Sequence, residues 1–136
     1  MKRRLIACIA AISLLLGGCH HYTNPSVDRA IVTQIVISGQ TAEGPIHRYY
    51  DSPDKMRQVL LYIRKASTGF HAQVDPDTVE GPSVSISTVS VDNTRKVYHQ
   101  KNNDLFQTDT GVWQQLDPEA GADLWELIRQ LPSDPQ

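Results

Sequence analysis

The chain has 136 residues, 40% of them hydrophobic and 21% charged, with a formal net charge of −2. That length holds one modest domain with a core of ordinary size. Both cysteines, Cys8 and Cys19, fall at or before position 19. Everything downstream is therefore without a disulfide, a thiol nucleophile or a Cys-ligated zinc or iron–sulfur cluster.

The first element in chain order is MKRRLIACIAAISLLLGGC. Lys2, Arg3 and Arg4 precede an apolar run, Leu5 to Leu16, that is too short to span a membrane, and Leu16-Gly17-Gly18 places two small residues before Cys19. This resembles the lipobox of bacterial lipoproteins. The resemblance implies that residues 1–18 are a signal peptide, cut before Cys19, and that Cys19 is acylated and anchors the chain to a membrane. Two or more buried acyl chains make such an anchor stable where one does not. Position 20 is His rather than Asp. In a Gram-negative host, the sorting rule of such lipoproteins then implies the periplasmic face of the outer membrane; otherwise the protein sits outside the inner membrane. Loss of the three signal cations leaves a body of about −5, which argues against nucleic acid and against a polybasic grip on lipid.

Residues 19–28, with Pro25, read as a lipidated tether. Ile31 to Ile37 is β-branched and too short for a helix, so a strand is expected. Ser38 to Pro45, with Gly39 and Gly44, reads as a turn, and Ile46 to Tyr50 as a returning strand. Ser52 and Pro53 suit the cap and first position of a helix whose inner face is Met56, Val59, Leu60 and Ile63, ending near Ala66. Phe70 to Pro82 is irregular.

Short strands follow at Ser83–Val91, Arg95–Lys101, Leu105–Thr108 and Val112–Leu116, separated by turns at Asp92-Asn93, Asn102-Asn103 and Asp109-Thr110-Gly111. Val84 and Ile86 share a face that Val89 and Val91 do not, and a bulge near Ser87–Thr88 would bring all four to the core. Asp117-Pro118 opens a second helix with Leu124, Leu127, Ile128 and Leu131 inward, ended by Pro132. The residues predict an α+β fold: an antiparallel sheet in the order ββα-ββββα with two amphipathic helices on one face, one domain over 29–132, and a frayed polar tail over 133–136.

The segment Tyr49-Tyr50-Asp51-Ser52-Pro53-Asp54-Lys55-Met56 into Val59–Arg64 resembles a small domain of uncharacterised secreted or lipidated bacterial proteins. Asp75-Pro76-Asp77, Arg95-Lys96-Val97-Tyr98 and Gly111-Val112-Trp113 leading to Leu116-Asp117 add to it, so the resemblance runs from about Tyr49 to Ser133. It implies one folded domain and brings no catalytic set.

Candidate chemistry is sparse. His20, His21, His47, His71 and His99 lack the helical spacing of a metal site, and no metal is expected. Asp75, Asp77 and Glu80 are too few for a calcium loop and read as a solvated turn. Ser83, Ser85, Ser87 and Ser90 alternate as an exposed strand face does, without a nucleophile elbow. Lys55, Arg57, Arg64 and Lys65 form the outer face of the first helix. Trp125, beside the inner face of the second helix, is expected to pack. Tyr49, Tyr50 and Trp113 are the candidate binding patch, since adjacent tyrosines on a strand point to opposite faces and one is exposed.

The expectation is a lipid-anchored envelope domain without enzymatic activity or cofactor. It would bind a protein or another envelope macromolecule; a small-ligand or metal sensor is the alternative. An exposed sheet edge would also offer pairing with a peptide or a second copy.

Overall fold

Strand structure extends beyond the β-branched run. In the computed structural model, which describes residues 32–68 and 73–136, β1 spans Val32–Thr41 and pairs with β2, Gly44–Tyr50, through a tight turn at Ala42-Glu43. Cys19, the signal and tether segments, His20, His21 and His71 lie outside the described residues. The expected turn over Ser38–Pro45 is therefore mostly strand. Gly39 explains the difference: its φ is +149°, and a Cβ there would stand 2.4 Å from the Ser83 carbonyl of the neighbouring strand. The glycine marks a close approach of two backbones, not a break.

Helix α1, Pro53–Ser67, leads from β2 to β3, Ser83–Ser90, which pairs with the other side of β1. Strands β4 (Arg95–Lys101), β5 (Leu105–Gln107) and β6 (Trp113–Gln115) continue as an antiparallel meander, and α2 (Pro118–Gln130) follows. The sheet order is β2-β1-β3-β4-β5-β6. The fold is α+β with the ββα-ββββα order read from the sequence. Asn93 and Asn102 hold positive φ, 64° and 52°, at the two asparagine turns, a conformation asparagine tolerates better than most residues.

One core holds the layers together. Ile35, Ile37, Tyr50, Val84, Ile86 and Phe106 on the sheet meet Met56, Val59, Tyr62, Ile63 and Ala66 of α1, with Leu124 and Ile128 of α2 and Leu131 just beyond it. Phe106 stacks on Tyr98 at 6.0 Å between ring centroids and meets Tyr62 edge-on at 6.4 Å. The bulge expected near Ser87–Thr88 is absent: β3 keeps unbroken register with β4 from Ser83 to Val89, and the irregularity lies at Val32/Gln34. Thr88, not Val89, continues the buried face, and Val91 lies past the strand, 71% exposed.

The polar centre of the core is Gln100 on β4, fully buried. Its Oε1 accepts from the Tyr62 hydroxyl of α1. Its Nε2 donates to the Gly121 carbonyl of α2 at 2.8 Å and to the Asn102 carbonyl at 3.0 Å. Gly121 itself lies against the β4–β5 turn, where a Cβ would meet the Asn103 carbonyl oxygen at 2.0 Å.

The end of the chain is fastened rather than frayed. The Asp134 amide donates to the Tyr49 carbonyl at 2.7 Å, and the Tyr49 amide donates to the Ser133 hydroxyl at 2.9 Å. The Asp134 carboxylate accepts from the amides of Asp51 and Ser52, the Ser52 hydroxyl and Lys55 Nζ, the last at 2.7 Å. The Ser52 side chain is thus a donor to Asp134 and does not cap α1; a carboxylate from the far end of the chain serves the helix N-terminus instead. Asp117 does cap α2, accepting from the Glu119 amide.

Two outcomes follow for stability. Gly121→Ala should cost about 2 kcal/mol or more in urea unfolding, because overpacking against a backbone carbonyl outweighs the gain of about 1 kcal/mol in helix propensity. An unchanged midpoint would mean that α2 does not seat on the turn. The Lys55 ammonium and two backbone amides hold the Asp134 carboxyl well below the usual carboxylate range. The unfolded chain therefore binds the extra proton first as pH falls through about 4, so the contribution is complete above that pH and shrinks on acidification. Wild type should lose stability more steeply than Asp134→Asn between about pH 5 and pH 3 in pH-resolved melting. Parallel curves would sink the latch.

Candidate functional site

The expected aromatic patch does not assemble. Tyr50 points into the core with no exposure, and its hydroxyl donates to the Leu131 carbonyl at 2.8 Å. Tyr49 and Trp113 are half-buried on the opposite sheet face but belong to β2 and β6, the two outer strands. Alternation along β2 separates the two tyrosines, and the sheet order separates Tyr49 from Trp113. Trp113 instead meets His99 at 6.3 Å between ring centroids, and burial pushes the His99 imidazole pKa down.

The other candidates resolve into local contacts. His99 lies directly across from Ser85, yet the Ser85 hydroxyl turns to Ser38, with Oγ atoms 3.4 Å apart. Asp75 accepts from the Asp77 amide in a short turn, and Asp75, Asp77 and Glu80 are exposed. No three His, Cys, Asp or Glu side chains gather as a metal group among the described residues. On α1, Lys55 pairs with Asp134, Arg57 with Asp54 and Lys65 with Asp123 of α2, so most of that basic face is already neutralised. Trp125 packs against the core, half-buried, as expected.

Both sheet edges are partly occupied. Ser133 and Asp134 take the outward backbone groups of Tyr49 on β2, while Gln73 bridges Gln114 and the Val74 amide donates to the Trp113 carbonyl on β6. This leaves little free backbone for an added strand.

A cleft of about 300 Å³ lies elsewhere, between the β1–β2 hairpin and α2. Glu43, Ile46 and Arg48 form one wall and Trp125, Ile128 and Arg129 the other, with Pro82, Asn102 and Asn103 at the end. Trp125 is fixed by its Nε1 donating to Asn103 Oδ1 at 2.7 Å, and Arg129 by an ion pair to Glu126 at 2.9 Å. Arg48 has no ion pair among the described residues. Its Nη1 donates to the His47 carbonyl at 3.3 Å, but its Nε is buried and without a hydrogen-bond partner. The arrangement is a mixed pocket, with Ile46, Trp125 and Ile128 beside charged and amide groups, of a size at the small end for ligand sites.

Sequence reasoning missed this cleft. Its walls come from four separated segments, and no local spacing joins Arg48 to Trp125. The available signal was modest: Trp125 lies one residue off the Leu124/Leu127/Ile128 stripe, on the border between core and surface. Among known proteins, the chain matches no family model, no curated protein and no solved structure.

The corrected place of Tyr50 has a measurable consequence. Burial pushes its phenol pKa up to about 12, while the unfolded side chain ionises near 10. The folded state then holds the proton longer, so stability is full below about pH 10 and declines as pH rises toward 12. Tyr50→Phe should cost about 1 kcal/mol at neutral pH through the lost Leu131 bond. It should also flatten the alkaline decline; Tyr62, raised by burial as well, leaves a remaining slope. A variant with wild-type stability and an unchanged alkaline slope would contradict this placement.

Proposed function

We propose that the chain is a lipid-anchored bacterial envelope lipoprotein, held by acyl groups on Cys19, whose body is a non-enzymatic macromolecule-binding or accessory domain. The export-signal pattern ending in Leu16-Gly17-Gly18-Cys19 supports the anchor. The observation that carries the binding reading is the cleft, where Trp125, held by Asn103, lines one wall with Ile128, and Ile46 lines the other with Arg48, a cation without an ion pair among the described residues. Such a pocket recognises a group brought from outside. A hydroxyl activated by a base would favour catalysis, but Ser85 is bonded to Ser38 rather than to the facing His99. The cleft volume also suits a small ligand, which keeps a sensor lipoprotein as the second reading.

Cross-linked capture from native envelopes separates these. Wild-type chain should retain one dominant, near-stoichiometric partner, Cys19→Ser should lose it through mislocalisation, and Trp125→Ala should weaken it about tenfold or more while remaining folded by circular dichroism. Equal capture by Trp125→Ala would remove the cleft from the interaction. No partner with any form, together with a melting shift caused by a small molecule, would favour the sensor.

A further inference from the structure

The lining of the cleft decides which ligand it can satisfy. Carbon stands on both walls, with Ile46 on the hairpin side and Trp125 and Ile128 on the α2 side. Trp125 spends its one polar side-chain atom, Nε1, on Asn103, so its ring has only carbon to offer a ligand. Polar side chains of both kinds share the same walls. The Glu43 carboxylate is an acceptor without an ion pair among the described residues. Arg129 uses Nη1 on Glu126, which leaves its other nitrogens to donate. Asn103 gives Oδ1 to Trp125, which leaves its Nδ2 to donate.

Each class of occupant meets this lining differently. An acyl chain would strip water from Glu43, Arg129 and Asn103 and return no hydrogen bond, a costly exchange. A simple ion finds no net opposite charge, since Glu43 and Arg48 differ in sign and Arg129 is paired with Glu126. A peptide strand presents its donors and acceptors in a line and binds along a sheet edge or a long groove. This cleft instead ends against Pro82, Asn102 and Asn103. An uncharged sugar ring differs from all three. Its faces carry C–H groups, and its rim carries hydroxyls, each able to donate and to accept. A volume of about 300 Å³ holds one such ring and not a folded surface.

We infer that the cleft binds a single uncharged pyranose ring, its faces between Ile46 and Trp125 and its hydroxyls on Glu43, Asn103 and Arg129. This rests on the cleft being the binding site and names the chemistry taken there. Such a ring arrives either as a residue of an envelope glycan or as a free sugar.

The chain has two tryptophans, and Trp113 lies on β6, outside the cleft lining. The two indole N–H signals of the isotope-labelled full chain in detergent, assigned through Trp113→Phe, therefore give a site readout with an internal control. The probes are methyl glycosides of glucose, galactose, mannose and N-acetylglucosamine. At least one should move the Trp125 signal saturably, at concentrations on the order of 1 mM, and leave Trp113 unmoved. Cyclohexanol, a ring of the same size with one hydroxyl, and sodium phosphate should move neither signal. Glu43→Gln, at an exposed position, should weaken the sugar about tenfold with an unchanged melting curve. Arg57→Gln, which removes an exposed pair with Asp54 on α1, should not. A linear tetramer of the sugar that binds separates the sources: equal or tighter binding assigns a glycan residue, and exclusion of the tetramer assigns a free sugar. The inference is overturned if no glycoside moves Trp125, if only Trp113 moves, or if cyclohexanol or phosphate acts as strongly as the glycosides. If no glycoside binds while Trp125-dependent capture persists, only the ligand class falls; if both fail, the cleft is not the binding site.

Discussion

The carboxamide of Gln100 is the interaction on which the arrangement of layers depends. A buried amide without partners costs several kcal/mol in the least favourable media, about 2 to 7 across reference states, and here each of its two ends is satisfied by a different helix. The oxygen takes the Tyr62 hydroxyl from α1, and the nitrogen binds the Gly121 carbonyl of α2 and the Asn102 carbonyl of the adjoining turn. Hydrophobic contact alone tolerates sliding between a helix and a sheet; directional bonds of this kind do not. Because the amide reaches α2 at Gly121, the helix must approach the turn where only a glycine fits. That approach sets Trp125 within reach of Asn103, and the bond between them fixes the α2 wall of the cleft. The site is thus built outward from a polar group in the core.

A second constraint works at the other end of α1. Asp134 meets two backbone amides, a hydroxyl and the Lys55 ammonium, while the same segment covers the Tyr49 backbone on the outer strand. One short stretch therefore caps a helix and closes part of a sheet edge. With Gln73 and Val74 on β6, both outer strands have backbone partners from irregular segments. Contacts of this sort oppose strand addition at the positions they cover.

The sequence disclosed what repeats locally. Proline at the starts of both helices, the periodic apolar faces of α1 and α2, and asparagine at the positive-φ turns all act within a few residues, and they were legible as such. Alternation showed that Tyr49 and Tyr50 divide between faces, but not which one enters the core, because that choice depends on the register of β2 against Ile35 and Val36. Gly39 looked like part of a turn because glycine breaks local patterns, and Gly121 gave no signal; the purpose of each is set by Ser83 and Asn103, distant in sequence. Gln100 carried no signal at all, since a strand glutamine is ordinary until its surroundings close over it. The tail of Ser133 and Asp134 looked frayed for the same reason: its partners lie more than 70 positions away.

The cleft differs from the open sheet face in the quantity that governs affinity, namely how much ordering binding requires. The open face mixes Ser38, Ser85 and Ser87 with Val36 and Val97 at its middle, a shallow surface without a pocket wall. On the α2 wall of the cleft, by contrast, Trp125 is held to Asn103 before any ligand arrives. Side chains already immobilised cost nothing further on association, whereas each mobile one costs about 0.5 to 1.5 kcal/mol. A tryptophan wall held in place by its own hydrogen bond thus makes the cleft the surface of this fold that demands least ordering of a ligand's partner groups.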